Sequence, residues 1–287
     1  MLAILPAIIF LWLGASHWQL NPLVTEAQSP KLKVGFLDVG QGDAILIQSP
    51  SGQTTLLDGG EDGEKLLARL NEELPWWDKK IEVMILTHPH ADHARGFNAL
   101  FGRYQIGEVI DTGVFHNSSV YEVWLNNLKS HNLTLKTVKA PDAIDLGGGA
   151  SLQVLFPLAS LSGQTVSNLN NSSLVLKLTY GQISFLLTGD AEVEVEKQLL
   201  NSGTDLSAQV LKVAHHGSAN ATSLEFLEAV NPQLAIISVG KDNDFGHPHA
   251  TTLNKLEARG IKVLRTDQLG TIRLSTDGRS IEVSSEN

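Results

Sequence analysis

The chain has 287 residues, a formal net charge of −10 and no cysteine. This length allows one large domain or two small ones with an ample hydrophobic core, and the lack of cysteine excludes disulfides, thiolate metal ligands and a cysteine nucleophile. The acidic charge argues against a basic nucleic-acid-binding surface over the whole protein, but it does not exclude a local basic rim around a site.

Residues 1–16 form an unbroken apolar run, MLAILPAIIFLWLGAS, and no Lys or Arg precedes Lys31. The run is short for a membrane span but close in length to the apolar core of a signal peptide, and it ends in small residues of the kind found at cleavage sites. A buried N-terminal helix is the alternative, although a helix that is apolar on all faces is unusual outside a large core. We therefore expect residues 1–30 to be a signal peptide or an N-terminal membrane anchor with a linker, and residues 31–287 to form a single folded domain.

Short strands, turns and helices alternate after Lys31, which is typical of an α/β protein. In the first half we predict strands over 32–38, 44–48, 54–57, 81–86 and 133–138, and helices over 64–73, 96–101 and 121–130. In the second half we predict strands over 151–156, 174–179, 183–187, 209–213 and 234–239, and helices over 192–200 and 223–230.

Four potential metal ligands lie close together in the segment MILTHPHADHARG: His88, His90, Asp92 and His93. They follow the apolar, largely β-branched stretch 81–86, which predicts a central strand of a parallel sheet, and Pro89 prevents that strand from continuing. Open α/β sheets place their sites at the carboxyl ends of strands, and neutral imidazoles with a carboxylate suit zinc or a similar transition metal. A chance cluster of surface histidines is the alternative, but four ligand-type residues at one strand end favour a metal site.

Other predicted strands also lead into a polar or metal-binding residue: Asp38, Asp58, Asp190, His215 and His247. Because the carboxyl ends of neighbouring strands meet at one edge of a sheet, these residues can form a single site although they lie far apart in the sequence.

The segments THPHADH, LLTGD and HHGS, preceded by LLDGG, resemble the motifs of the metallo-β-lactamase fold superfamily of binuclear metallohydrolases. The segments LDVGQGDAILI, NNSSLVLKL, LKVAHHGS and RTDQLGTI, together with AIISVG and GHPH, are similar to the C-terminal extracytoplasmic domain of ComEC-type DNA-uptake proteins. The resemblance covers Lys31 to about Leu274. It implies a four-layer αβ/βα sandwich that binds two divalent ions, zinc or manganese, in the cleft between the sheet edges.

The resemblance also implies which residues bind each ion. His88 and His90 are expected at the first ion, Asp92 and His93 at the second, and Asp190 between the two. The segment HHG supplies one more imidazole to the second ion. We prefer His215, which follows the strand most directly, and keep His216 as the alternative.

Three residues are candidates for orienting the metal ligands by hydrogen bonds without binding an ion themselves: Asp58, Asp38 and Asn171. Asp58 matches the carboxylate that orients a ligand histidine and fixes its tautomer in the superfamily.

The chain departs from the superfamily pattern at two places. A histidine for the first ion is missing, because the segment ahead of LLTGD reads SNLNNSSLV; Asn168, Asn170 or Asn171 would supply an amide oxygen there, or the position would be left to water. We therefore expect a weaker first site that favours a harder ion such as manganese. Arg95 stands where the superfamily usually has a glycine, and we expect it either to face a substrate phosphate or to be a solvated side chain.

Two bound ions would activate water, so that no serine nucleophile is required, and they suit a phosphodiester. Asp92 and His247 are the candidate catalytic residues. His247 lies in GHPH, where related nucleases carry a histidine near the leaving group, and would donate a hydrogen bond or proton there; a loop histidine bonded to backbone is the alternative. The candidate substrate-binding residues are Arg95, Ser218 and His249.

We predict an extracytoplasmic metal-dependent phosphodiesterase or nuclease whose substrate is DNA, single-stranded DNA in particular. Its expected partners are other DNA-uptake proteins and, through the N-terminal segment, the membrane; DNA transport by this chain alone is not expected. A hydrolase of another ester, a lactone, a lactam or an envelope phosphoester is one alternative. A non-catalytic accessory domain for DNA uptake is the other, against which the near-complete ligand set argues.

Overall fold

Two β-sheets form the centre of the structure, a computed structural model that describes residues 30–287. The first sheet has the spatial order β15 (Ile281–Ser285), β14 (Ile272–Thr276), β1 (Leu32–Phe36), β2 (Ile45–Gln48), β3 (Thr54–Leu57), β4 (Lys80–Ile85), β5 (Gln105–Asp111) and β6 (Leu135–Thr137). The second has the order β13 (Lys262–Arg265), β12 (Leu234–Ile237), β11 (Val210–Lys212), β10 (Ile183–Leu187), β9 (Val175–Tyr180), β8 (Ala150–Phe156) and β7 (Ala143–Gly147). The predictions made for residues 1–29 lie outside the described residues.

Helices lie on the outer faces of the sheets. They are α1 (Gly63–Glu73), α2 (Ala91–Ala94), α3 (Ser119–Ser130), α4 (Val193–Ser202), α5 (Leu224–Val230), α6 (Ala250–Glu257) and α7 (Thr266–Leu269), with 3-10 turns over Arg95–Ala99, Asn170–Ser172 and Ala214–Gly217. Helix α1 shows why they form where they do: the Asp62 side chain accepts hydrogen bonds from the backbone N–H groups of Glu64 and Lys65, which caps the first turn. Leu66 and Leu70 then share one buried face.

Three hydrophobic layers hold the sheets and helices together. Between the sheets, Phe36 and Ile85 of the first sheet belong to the same buried cluster as Leu176 and Phe185 of the second. A second cluster lies between the first sheet and helices α1 and α3, and a third lies between the second sheet and helices α4, α5 and α6. The predicted four-layer αβ/βα sandwich is therefore confirmed.

Parallel strands occupy one part of each sheet. Strands β3, β4, β5 and β6 run parallel to one another, as do β10, β11, β12 and β13. The loops that leave the carboxyl ends of β3, β4, β10 and β11 carry Asp58, the cluster from His88 to His93, Asp190 and the His215–His216 pair. The topology thus brings these segments, which are distant in the sequence, to one edge of the sheets. This agrees with the prediction made from the polar residues at the strand ends.

The segment after the histidine cluster differs in detail from the prediction. The helix predicted over 96–101 is a short α2 that continues into the 3-10 turn Arg95–Ala99. Close packing explains the irregular backbone, because a Cβ on Gly96 would lie only 1.9 Å from the carbonyl oxygen of Gly59. Within residues 30–287, no helix is long and apolar enough to cross a membrane.

Candidate metal centre

One group of potential ligands combines side chains from both sheets: Asp92, His93, Asp190 and His216. Their ligand atoms all lie within 4.8 Å of one another. Asp190 Oδ2 is 3.3 Å from His93 Nε2 and 3.6 Å from His216 Nε2, and His216 Nε2 is 3.3 Å from Asp92 Oδ2. Two imidazoles and two carboxylates at these separations suit a zinc-like or manganese-like ion.

A second group shares one residue with the first and contains His88, His90 and Asp190. His88 Nε2 lies 2.9 Å from His90 Nδ1 and 3.8 Å from Asp190 Oδ2. Asp190 is almost fully buried, and its backbone N–H donates to Ser173 Oγ, which fixes the loop that carries it. A carboxylate that belongs to both groups is placed to serve two ions.

The polar atoms that face this space have no hydrogen-bond partner among the described residues. They are His93 Nε2, His216 Nε2 and Asp190 Oδ1, all buried. Burying such atoms without a partner costs free energy, on the order of 1–3 kcal/mol each. Because neutral imidazole Nε2 and carboxylate oxygen are also the atoms that bind transition metals, this set of donors fits a metal centre.

The Nδ1 atom of each of these histidines is committed elsewhere, which leaves Nε2 for the site. His93 Nδ1 donates to Asp58 Oδ2 at 2.8 Å, and His216 Nδ1 donates to the carbonyl oxygen of Ser238 at 2.9 Å. Hydrogen bonds of this kind fix the tautomer and the ring orientation of metal-binding histidines.

Asp58 also acts on a second histidine through Thr87. The backbone N–H and hydroxyl of Thr87 donate to the two carboxylate oxygens of Asp58, at 2.8 and 2.7 Å. Since the hydroxyl proton is used there, the contact of 3.1 Å between Thr87 Oγ1 and His88 Nδ1 has the imidazole as donor. The sequence singled out Asp58 for orienting a histidine; it did not single out Thr87.

The buried carboxylates and imidazoles of the cluster shift one another's pKa values. Burial lowers the pKa of His93, but the carboxylates of Asp190 and Asp58 outweigh it and raise that pKa well above its ordinary value. Burial raises the pKa of Asp190, but His216 and His93 outweigh it and hold the pKa well below its ordinary value. The same balance raises the pKa of His216 to about 10. The carboxylates therefore stabilise positive charge on the groups that lie among them.

The two histidines of the segment HHG take different positions. His215 Nδ1 lies 3.2 Å from Glu192 Oε1, and its Nε2 is 3.9 Å from Asp190 Oδ2, so it stands at the edge of the cluster. His216 lies within the group that contains Asp92 and Asp190. The geometry therefore favours His216, which the sequence analysis kept as the alternative, over His215.

The asparagines considered as a replacement for the missing histidine contact Glu192. Asn168 Nδ2 and Asn170 Nδ2 donate to the Glu192 carboxylate at 2.8 and 2.9 Å, and Asn171 Oδ1 accepts from the Glu192 backbone N–H at 3.0 Å. None of the ligand groups found in residues 30–287 contains Glu192. These contacts hold the loop that follows Asp190 in place.

A buried ion pair beside His216 was missed by the sequence analysis. Lys212 Nζ lies 2.9 Å from Asp43 Oδ1, and the same oxygen is 3.4 Å from His216 Nδ1. The loop that carries Asp43 packs tightly on the cluster, since a Cβ on Gly42 would be 1.9 Å from the carbonyl oxygen of Asp92. The signals were present in the sequence, as an aspartate in VGQGDAILI and a lysine inside the apolar strand QVLKV.

His247 lies near the histidine pair, in the loop between β12 and α6. Its ring centroid is 5.4 Å from that of His215 and 6.3 Å from that of His216. Burial, followed by the charges of His216 and His215, lowers the pKa of His247 to about 4. His249 is close, with ring centroids 4.9 Å apart, and its Nδ1 accepts from the backbone N–H of Ala219.

Three further candidates bond to other groups. Arg95 pairs with Glu61, and Asp38 contacts Arg69 through both its carbonyl oxygen and, at 3.6 Å, its carboxylate. Ser218 is buried. In the part of the chain that the structure describes, Asp38 belongs to none of the groups of potential metal ligands.

Comparison with known proteins gives both sequence and fold relatives. A family model described as the metallo-beta-lactamase superfamily matches residues 37–241. ComE operon protein 3 of Bacillus subtilis (strain 168) is 32% identical over 263 residues, covering 84% of this chain and 32% of that protein. Competence protein ComA of Neisseria gonorrhoeae is 27% identical over 237 residues, covering 82% of this chain and 31% of that protein. The chain thus spans about a third of the length of the curated relatives that it matches.

A solved structure shares the fold at low sequence identity. The metallo-beta-lactamase fold protein YhfI from Bacillus subtilis has a TM-score of 0.57 and 13% identity, covering 86% of this chain and 100% of that chain. The resemblance to ComEC-type competence proteins that the sequence motifs indicated is confirmed by the two sequence relatives.

Proposed function

This chain belongs to the metallo-beta-lactamase superfamily, and from that premise we propose that it is a binuclear metal-dependent phosphodiesterase that hydrolyses DNA outside the cytoplasm. The fold supports a metal-dependent hydrolase in general. The finer activity is supported by a relative that is named as a competence protein. The observation that carries the proposal is that Asp190 is shared by the ligand group of His88 and His90 and the ligand group of Asp92, His93 and His216.

The ligand groups define the proposed metal sites. We assign His88, His90 and Asp190 to the first ion, and Asp92, His93, Asp190 and His216 to the second. The sequence preference for His215 is replaced by His216 because of their positions relative to Asp92 and Asp190.

Two bound divalent ions would supply an activated water and offset the charge of a phosphodiester. The residues of the chain would prepare this centre. Asp58 keeps Nε2 of His93 directed at it, and the Ser238 carbonyl does the same for His216. Asp92, with 23% of its side chain exposed, lies where the cluster meets solvent. The ring of His247 lies 6.3 Å from that of His216, and its neutral imidazole would donate a hydrogen bond to the leaving oxygen.

Placement outside the cytoplasm is supported by the apolar run over residues 1–16. The competence relatives make DNA-uptake proteins the proposed partners.

The test is a substrate panel with the purified chain. Single-stranded DNA, bis-p-nitrophenyl phosphate and a chromogenic lactam are each incubated with added manganese or zinc. We expect hydrolysis of DNA, its loss in Asp190→Ala, and its retention in Asp145→Ala, which removes an exposed carboxylate on β7. If the metal-loaded chain hydrolyses the lactam and leaves DNA intact, the nuclease assignment is wrong.

A further inference from the structure

An exposed aromatic ring lies beside the candidate metal centre, in the loop between β12 and α6. Phe245 is 62% exposed, and its ring is nearly parallel to that of His247, with centroids 5.8 Å apart and planes inclined by 21°. His247 in turn is 6.3 Å from the ring of His216, a proposed ligand. A short series of rings therefore leads from the metal centre to solvent.

The side chain of Asn243 fixes the shape of this loop. Its Nδ2 donates to the carbonyl oxygens of Gly240 and His247, at 3.0 and 2.7 Å. Its Oδ1 accepts from the backbone N–H groups of Phe245 and His247, at 3.1 and 3.0 Å. Because one side chain holds the backbone at and beyond Phe245, the loop loses little conformational freedom when it binds a ligand.

Exposure by itself would carry little weight, since single apolar side chains are common on protein surfaces. Phe245 differs because its ring is supported from behind by His247, its backbone is fixed, and it stands next to a centre suited to phosphodiester chemistry. The ions would bind the phosphate of a nucleotide, and an aromatic ring at this place offers a flat apolar face to its base.

We propose that Phe245, supported by His247, is a stacking position for an unpaired nucleobase of the strand whose phosphodiester lies at the metal centre. The proposal rests on the proposed function and specifies how that site would bind its substrate. Stacking on an aromatic ring strengthens binding by about tenfold or more per base and accepts any base, since every base has a π face. The position requires an unstacked base, so a single strand fits it and an intact duplex does not.

The test compares a single-stranded oligonucleotide with an abasic strand of the same length and phosphate number. Michaelis constants are measured for the full chain, for Phe245→Ala, and for Trp76→Ala as a matched control. Trp76 is 79% exposed and precedes β4, whereas the histidine cluster follows that strand, so it is an aromatic residue at the opposite end of the sheet.

We expect the wild-type chain to have a KM about tenfold lower for the base-containing strand than for the abasic strand. Phe245→Ala should lose this discrimination, Phe245→Trp should keep it, and Trp76→Ala should behave as wild type. Metal content and circular dichroism of each variant establish that the fold and the centre are intact.

The outcomes separate the two proposals. If both strands are hydrolysed with the same KM, or if Phe245→Ala discriminates as well as wild type, the stacking position is wrong while the nuclease function stands. If the metal-loaded wild-type chain hydrolyses neither strand, the proposed function fails, and the stacking position fails with it.

Discussion

Lys212 Nζ and Asp43 Oδ1 lie 2.9 Å apart, and both side chains are almost completely excluded from solvent. Asp43 belongs to the loop between β1 and β2, and Lys212 belongs to β11, so the pair joins the two sheets beside the candidate metal centre. Burial opposes ionisation of Asp43, but Lys212 and His216 outweigh it and lower the pKa of Asp43 to about 2. The Asp43 carboxylate therefore stays charged at neutral pH.

Removing one member of this pair should destabilise the protein strongly. Lys212→Met leaves the Asp43 carboxylate buried without its main partner, and we expect the free energy of unfolding to fall by about 3–5 kcal/mol. Urea denaturation of the metal-free chain measures the effect. Lys136→Met breaks the solvent-exposed pair with Glu108 and should cost less than about 1 kcal/mol. Equal effects of the two substitutions would contradict the prediction.

The assignment of His216 leads to a second prediction, on metal content. His216→Ala removes an imidazole that lies 3.3 Å from Asp92 and 3.6 Å from Asp190, so we expect loss of one of two bound ions after brief dialysis against a chelator. His215→Ala is the matched control and should keep both ions, because His215 lies at the edge of the cluster beside Glu192. Mass spectrometry of the metal content decides between them. Loss of an ion from the His215 variant alone would restore the sequence preference.

The adjacent histidines show where sequence reasoning stopped. The preference for His215 assumed that the residue closest to the strand end faces the site. In the structure both histidines lie in the 3-10 turn Ala214–Gly217 with positive φ, 49° at His215 and 52° at His216. No hydrophobic periodicity predicts such a backbone, and it determines which ring enters the cluster.

The strands that were predicted have a clear apolar pattern, whereas those that were missed do not. The stretch 81–86 was predictable because it is apolar and ends at Pro89, and β4 is found at Lys80–Ile85. Strand β5 (Gln105–Asp111) was not predicted, because it begins QIGE and becomes buried only toward its end. Strands β7, β13, β14 and β15 were also not predicted. All four lie at or next to a sheet edge, where exposed and partly exposed residues weaken the apolar signal.

The ion pair could not have been predicted as a pair. An aspartate after two glycines and a lysine inside an apolar strand are each visible in the sequence. Their contact depends on how the β1–β2 loop of one sheet meets β11 of the other, and that approach is set by tertiary packing. By contrast, the convergence of His88, Asp190 and Asp58 follows from the carboxyl ends of parallel strands, and it was predicted.

A third prediction concerns the unequal composition of the two proposed sites. The first contains two imidazoles and the shared Asp190, whereas the second has Asp92, His93 and His216 in addition to Asp190. We therefore expect chelation to release the ions in two phases, because the first site has three protein ligands and the second has four. We also expect manganese to support more activity than zinc, since the first site lacks one imidazole of the superfamily pattern, which weakens the preference for the borderline-soft ion. Activity followed during titration with a chelator measures the phases. A single phase with equal activity in both metals would contradict this.

A fourth prediction uses the buried carboxyl group of Asp111, which belongs to none of the ligand groups found in residues 30–287. Burial raises the pKa of Asp111 from 3.8 to about 6, against the hydrogen bonds donated by Tyr121 and by the backbone of Gly113. Because the folded state binds the proton more tightly, this group contributes stability that is complete below about pH 4 and is lost as the pH rises through 6.

Replacing Asp111 by Asn should remove that pH dependence. Relative to wild type, the free energy of unfolding of Asp111→Asn should rise by up to about 3 kcal/mol between pH 4 and pH 7. Urea denaturation of the metal-free chain at several pH values gives the difference, with Asp145→Asn as an exposed control. Parallel curves for wild type and Asp111→Asn would show that burial does not shift this group.

The last prediction separates catalysis from binding at two stacked rings. His247 lies beside the histidine pair, and Phe245 lies one ring further toward solvent. A group that donates to the leaving oxygen acts mainly in the transition state, so we expect His247→Ala to lower kcat for a single-stranded oligonucleotide by about a hundredfold and to change KM little. Phe245→Ala should instead act mainly on KM, because a base remains stacked in both the bound substrate and the transition state. Steady-state kinetics of the two variants, loaded with the same metal and compared with Trp76→Ala, distinguish these effects. If His247→Ala raises KM and leaves kcat unchanged, His247 is part of the stacking surface and the group that donates a hydrogen bond to the leaving oxygen must be sought elsewhere in the cluster.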